Sequence, residues 1–264
     1  MIPTFFFRCS MILVVAAAVG LAPAIIDAVA KERECPVPES FYTFEPHVTK
    51  TGKALAGGPE VVIAALGGAS TMGVAAGARG FAWPARLASA LAERFPSTRT
   101  KVMNLAVARQ TAKRAVERLD DDVLPLKPTL VIWETGTMEA VRGTDVDEFR
   151  QTVQTGIDKL RTAGAELVLM DMQFSRPTDA VIHFAPYLAT IRELADVNDV
   201  PVFRRHSIMR HWAETGALDL RAGNGEKSRE LAVKLYDCIG KGMADFVTRG
   251  MPVGKRHNSP GGER

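Results

Sequence analysis

Three cysteines, five histidines and an aromatic share of 7% in 264 residues leave this chain poor in several kinds of chemistry. No Cys-x-x-Cys pair and no His-rich spacing occurs, which removes the sequence signatures of zinc ribbons and dithiol redox centres. The Gly-rich turn near residue 70 lacks the lysine of a P-loop and the G-x-G-x-x-G pattern of a dinucleotide fold. Charge of one sign is also missing. The formal net charge is +3, and the basic residues are scattered apart from Arg204, Arg205 and His206, so nucleic acid is not expected as a partner. Neither a cofactor nor a resident metal is expected.

What is present suits a globular chain with a real core: 47% hydrophobic and 24% charged residues. The length fits one generous domain or two small ones. The N-terminus differs in kind. A single Arg8 precedes an apolar stretch over residues 11–26, interrupted by Gly20 and Pro23, and the sites Ala22-Pro23-Ala24 and Ala28-Val29-Ala30 follow. A basic start, an apolar run and an A-x-A exit describe a secretory signal peptide. The run falls short of about 20 clean apolar residues, which argues against a membrane anchor. Residues 1–30 are therefore read as a signal peptide and the protein as exported, periplasmic or secreted, touching a membrane only if that segment is retained. Cys9 would leave with it. Cys35 and Cys238 would remain, and in an oxidising compartment such a pair can close a disulfide, although spacing alone does not show that they meet.

Residues 31–58 lack clear periodicity and read as a leader, residues 59–249 as the folded domain, and residues 250–264, rich in Gly, Pro and Arg, as a disordered tail. Short apolar runs at 61–66, 102–105, 130–133, 167–170 and 200–203 read as strands buried on both faces. Helical spacing appears between them: Phe81, Leu87, Leu91 and Phe95, then residues 112–124, a segment from Thr144 to about Arg161 that opens with Asp147 and Glu148, then 186–197 and 226–247. Alternation of this kind predicts a three-layer α/β/α fold on a mostly parallel five-stranded sheet. In such a sheet the ligand crevice lies beyond the carboxyl ends of the strands. Trp133 and Trp212 read as core or pocket wall. Asp120, Asp121 and Asp122 read as a solvated helix face.

After the first strand comes Gly67-Gly68-Ala69-Ser70-Thr71-Met72-Gly73. A serine in a Gly-rich strand-to-helix turn exposes its hydroxyl at the sheet edge, near backbone N–H groups suited to a developing oxyanion. Asn104-Leu105-Ala106 follows the second strand and Glu134-Thr135-Gly136-Thr137-Met138-Glu139 the third. With Asp171 to Phe174, Val200 to Arg205 and Ile208 to Trp212, these strand ends resemble the SGNH (GDSL-like) hydrolases, over about residues 61–247. The resemblance implies a flavodoxin-like sheet and a serine ester hydrolase. It implies Ser70 as nucleophile and the Ser70 and Ala106 N–H groups as a reduced oxyanion hole.

The helpers are replaced. Ala69 stands for the usual Asp of the first block, Ala106 for Gly, and Met138, which has no hydrogen-bond donor, for Asn. Lys227 and Glu230 stand where the family has the Asp and His of its D-x-x-H block. Lys227 as a neutral amine base, Glu230, His206, His211 and, more remotely, His183 and His47 are the candidate replacements for the base. Arg109, Glu139 and Arg142 lie just past strand ends and are candidates to line a polar pocket. Two readings result. One is an ester hydrolase acting on a small-molecule, glycan or lipid ester. The other is an inactive descendant that binds a carbohydrate, lipid or protein partner in the same crevice.

Overall fold

All five strands run parallel, in the order β2-β1-β3-β4-β5: β1 (Glu60–Leu66), β2 (Arg99–Asn104), β3 (Leu130–Glu134), β4 (Glu166–Met170) and β5 (Val202–Phe203). The computed structural model describes residues 35–41, 48–221, 224–249 and 251. The segments read as signal peptide and most of the tail lie outside these residues. The helices are α1 (Thr49–Gly57), α2 (Ala69–Met72), α3 (Trp83–Arg94), α4 (Ala112–Glu117), α5 (Thr137–Arg142), α6 (Val146–Thr162), α7 (Arg176–Asp179), α8 (Ala185–Asn198), α9 (Arg205–Thr215) and α10 (Glu226–Val247).

The period of two along each strand sorts its side chains into two cores. Ile63, Leu130, Ile132, Val168 and Met170 face one layer, against Leu87 and Leu91 of α3, Trp212 of α9 and Met243 and Val247 of α10. Ala64, Leu66, Val131, Trp133 and Leu169 face the other, against Ala115 of α4, Phe149, Val153 and Ile157 of α6 and Ile191 of α8. Central β3 is buried at all five positions. That explains its unbroken apolar run and makes Glu134, its last residue, an anomaly in need of a partner. On the second face Gly156 of α6 lies so close to Trp133 that a Cβ there would come within 2.5 Å of the indole. At the edge strand β2 the charged side chains of Arg99 and Lys101 pair with Glu60 of β1, a common way of blunting an open edge.

Four local features differ from the sequence reading. Residues 49–57, read as leader, form α1, with Leu55 in the core. Its first turn has no capping side chain of its own; the N–H groups of Lys50 and Thr51 donate instead to the Glu166 carboxylate of β4, at 2.8 and 2.6 Å. Helix α4 ends at Glu117, and a π-helical turn over Leu119–Val123 follows. Three consecutive aspartates are weak helix formers, and Asp120 and Asp122 pair with Lys159 and Arg118. Strand β5 is only two residues long. The segment after it, left without an element in the sequence reading, is the helix α9. Cys35 and Cys238 are joined by a disulfide with Cα atoms 5.7 Å apart, so residues 35–41 are tied to α10. Trp212 Nε1 donates to Pro36 O in the same region, at 2.9 Å.

Candidate functional site

Three strand ends converge on Ser70. The turn after β1 supplies Ser70 and Thr71, β3 ends in Glu134, and α9, just beyond β5, opens with Arg205. The Ser70 hydroxyl lies 2.8 Å from each oxygen of the Glu134 carboxylate and donates to it. Arg205 donates to Ser70 Oγ at 3.0 Å and to Glu134 Oε1 at 2.9 Å. The side chains of this ion pair are 2% and 4% exposed. Thr71 Oγ1 also donates to Glu134, and Trp83 Nε1 donates to Thr71 Oγ1 at 3.1 Å. Gly67 is required here for space, because a Cβ would fall 2.7 Å from Glu134 Oε2.

The electrostatics follow from this packing. Burial acts to raise the Glu134 pKa, but the Arg205 charge and the hydrogen bonds from Thr71, Arg205 and Ser70 outweigh it, so the carboxyl lies below its ordinary value. It is a carboxylate at neutral pH. Tyr236 of α10 is buried beside the pair and its hydroxyl is pushed up to about 12, chiefly by burial. Asp171, one residue past β4, is 1% exposed. Its Oδ1 accepts the His206 N–H at 2.8 Å, which pins the first turn of α9 and with it Arg205. Burial raises the Asp171 carboxyl to about 7, against the His206 hydrogen bond and the nearby arginines.

The remaining candidate residues lie elsewhere. The Ala106 N–H donates to Asn104 Oδ1 at 3.2 Å, while Asn104 Nδ2 donates to Thr71 O at 2.8 Å. His206 is buried, with Nε2 2.9 Å from Asp179 Oδ1 and its ring edge-on to Phe174 and Phe184. Burial lowers its pKa, with Asp179 opposing. His211 contacts the Phe41 ring at 5.6 Å. Lys227 and Glu230 are exposed on the first turns of α10, and His183 is exposed. His47 lies outside the described residues. Met138 is half-buried on α5. Glu139 is buried and accepts the Ala112 N–H at 2.6 Å, while Arg109 and Arg142 are exposed.

A sequence model of the non-GDSL lipase-like family matches residues 34–253. The chain belongs to that family. Solved structures show the same fold at low identity. A protein assigned to the G-D-S-L lipolytic family from Desulfitobacterium hafniense DCB-2 is 20% identical, with 70% of this chain and 99% of that one aligned at a TM-score of 0.53. The acetylxylan esterase Axe2 from Geobacillus stearothermophilus is 16% identical, over 68% and 94% of the two chains, with a TM-score of 0.54. A two-domain esterase (CEX) active on acetylated mannans is 18% identical, over 75% of this chain and 51% of its own, with a TM-score of 0.59. No curated protein sequence matches the chain. In this non-GDSL lipase-like chain the partners of Ser70 are Glu134 and Arg205, which the sequence reading quoted but gave no role. Their signal was available: a lone Glu closing an apolar strand, and an Arg opening the segment after another strand of the same parallel sheet.

Proposed function

We propose that this chain uses the SGNH strand-end crevice to bind, outside the cytoplasm, a glycan or acylated ligand, and that Ser70 does not act in a Ser–His–Asp hydrolysis. One observation carries this reading: the Ser70 hydroxyl is held between the Glu134 carboxylate and the Arg205 guanidinium. A triad needs a base of pKa near neutrality that accepts the serine proton as the oxygen attacks. Glu134 is tuned the other way, below the ordinary carboxylate value. Arg205 donates to Ser70 Oγ and so draws electron density from the oxygen that would attack. Loss of the base of a serine triad costs about 10⁶ in rate, and loss of one oxyanion donor about 10²–10³.

The ligand class draws on the fold neighbours, which include esterases of acetylated mannan and acetylated xylan. Location outside the cytoplasm is supported by the N-terminal sequence pattern and by the Cys35–Cys238 disulfide. Among the described residues no helix is long and apolar enough to cross a membrane.

A second reading has its own observation: a carboxylate does lie within hydrogen-bond reach of Ser70, so a slow ester hydrolase with Glu134 as proton acceptor is the competitor. Turnover of an aryl acetate by the purified protein and by Ser70→Ala, with fluorophosphonate labelling of both, separates the two. Equal background turnover and no labelling are expected. Turnover and labelling that both vanish in Ser70→Ala would overturn the binding reading and make Glu134 the next substitution.

A further inference from the structure

Beside Ser70 the chain keeps two exposed segments with almost no polar side chains. Residues 73–82 read Gly-Val-Ala-Ala-Gly-Ala-Arg-Gly-Phe-Ala. They form two short 3₁₀ turns, Val74–Ala76 and Arg79–Phe81, which follow α2 directly. Val74 is 56% and Phe81 44% exposed, and Ala75, Gly77, Ala78, Arg79 and Gly80 are exposed with them. The second segment, Leu105-Ala106-Val107-Ala108-Arg109, follows β2, and its Val107 is 39% exposed. Single exposed apolar residues are ordinary. A run of them in surface loops, where polar turn residues are the rule, marks a surface that meets something apolar.

The two segments form one rim. Arg79 Nη1 donates to Asn104 O at 2.9 Å and holds the second 3₁₀ turn against the end of β2. The Val107 N–H donates to Gly67 O at 3.0 Å, and Asn104 Nδ2 to Thr71 O at 2.8 Å. These bonds set both segments beside the turn that carries Ser70. The guanidinium of Arg86 lies over the Phe81 ring, 5.3 Å from its centre.

The charge of the rim has one sign. Residues 67–92 and 102–116 contain Arg79, Arg86, Arg109, Lys113 and Arg114 and no Asp or Glu. Among the described residues none of these five is in an ion pair. Lys113 shares a groove with Glu148 of α6. On the first turns of α10, where Arg229 lies beside Gly77, Lys227 and Arg229 are matched by Glu226 and Glu230. The excess therefore falls on Arg79, Arg86 and Arg109, which stand among the exposed apolar side chains. A second copy of the chain would bring like charges together. A polyanion would pair with the arginines and leave Val74, Phe81 and Val107 in water. A bilayer with anionic headgroups answers both features, taking apolar side chains at its acyl boundary and arginines at its phosphates.

We propose that this rim docks the protein on the surface of an anionic phospholipid bilayer, with Val74, Phe81 and Val107 at the headgroup–acyl boundary and Arg79, Arg86 and Arg109 on the phosphates. The contact turns the mouth of the Ser70 crevice towards the lipid. It depends neither on the N-terminal segment nor on what the crevice binds.

The test places a reporter in the rim of the full chain. The native Trp83, Trp133 and Trp212 are buried, so the indole introduced by Phe81→Trp reports its own surroundings. Its emission should move to the blue, and be quenched by brominated acyl chains, on addition of vesicles of phosphatidylglycerol and phosphatidylcholine in equal parts. Phosphatidylcholine alone should bind far more weakly, and added salt should release the protein. Arg79→Gln and Arg109→Gln should each weaken binding about fivefold. Val74→Ser with Val107→Ser, both at exposed positions, should weaken it severalfold. Val197→Trp is the control: Val197 is exposed on α8, next to Asn198, which shares a groove with Glu166 at the start of β4, the opposite end of the sheet. No blue shift with anionic vesicles, or an equal shift for Val197→Trp, would overturn the proposal. So would equal binding to phosphatidylcholine alone. Binding indifferent to the two serine substitutions would replace the bilayer by a polyanion, and a blue shift that grows with protein concentration without lipid would replace it by a second copy.

Discussion

Glu134→Gln is the substitution that tests the central feature of the site. It removes the charge that Arg205 faces and nearly keeps the shape of the side chain. With both partners at most 4% exposed, water cannot take over the guanidinium. Removing one partner of a buried pair costs about 3–5 kcal/mol. Gln can still accept from Arg205 or from a hydroxyl, so the lower end, about 3 kcal/mol, is expected. Arg205→Met leaves the carboxylate with only the Ser70 and Thr71 hydroxyls and should cost about 4 kcal/mol. The double variant contains neither charge, so its loss should fall short of the sum by about 2 kcal/mol or more. Urea denaturation followed by far-UV circular dichroism at pH 7 reads all four corners of the cycle. The pH dependence gives an independent sign. Arg205 and the hydroxyl donors hold the Glu134 pKa below its ordinary 4.5. The stability this contributes is complete above pH 4.5 and is lost as pH falls through the folded-state value. The gap between wild type and Glu134→Gln should therefore narrow in acid. A loss below about 1 kcal/mol, an additive double variant, or a gap indifferent to acid would refute the argument that Ser70 lies in a structural ionic network.

Three further outcomes follow from single features. Asp171 holds its proton up to about pH 7 in the folded state, against 3.8 as its ordinary value, so wild-type stability should fall as pH rises from about 4 to 7, by up to about 1.4 kcal/mol per pH unit, and then level off. Asp171→Asn, which still accepts the His206 N–H, should lose that slope and be the more stable protein at pH 8 by urea denaturation; parallel pH profiles would contradict this. Replacing both Cys35 and Cys238 by Ser should cost about 2–5 kcal/mol, and dithiothreitol should bring the wild type close to that variant's denaturation midpoint. Gly156→Ala should lower the melting temperature despite the better helix propensity of alanine, because overpacking against Trp133 costs about 1–3 kcal/mol and the propensity gain is about 1 kcal/mol; an unchanged or higher melting temperature would show that Trp133 gives way.

The sheet was legible because its information is local. A strand buried on both faces is an apolar run, as at 130–133, and a helix declares itself by spacing, as at 226–247. What was missed depended on distant partners. Helix α1 borrows its N-terminal cap from Glu166 of β4, so no capping residue marks its start, and its own Gly52 and Gly57 dilute the pattern. Helix α9 is likewise held by the Asp171 carboxylate, 35 positions earlier. The site divided along the same line. Ser70 was found from its own Gly-rich turn. Glu134 and Arg205 are 71 residues apart, and each alone reads as a charge next to a strand. Only the parallel sheet, which brings the ends of β1, β3 and β5 to one edge, turns them into partners.

That pairing also changes what the presence of Ser70 means. A serine hydroxyl carries one donor and two acceptor lone pairs, and here it gives the proton to Glu134 and receives one from Arg205. Alanine would satisfy neither. The serine is thus explained by the ion pair beneath it, without any call on nucleophilic chemistry. Its presence carries little weight in favour of hydrolysis, while a partner carboxylate tuned below 4.5 weighs directly against it. A hydrolase would need beside the serine a base of higher proton affinity than this carboxylate.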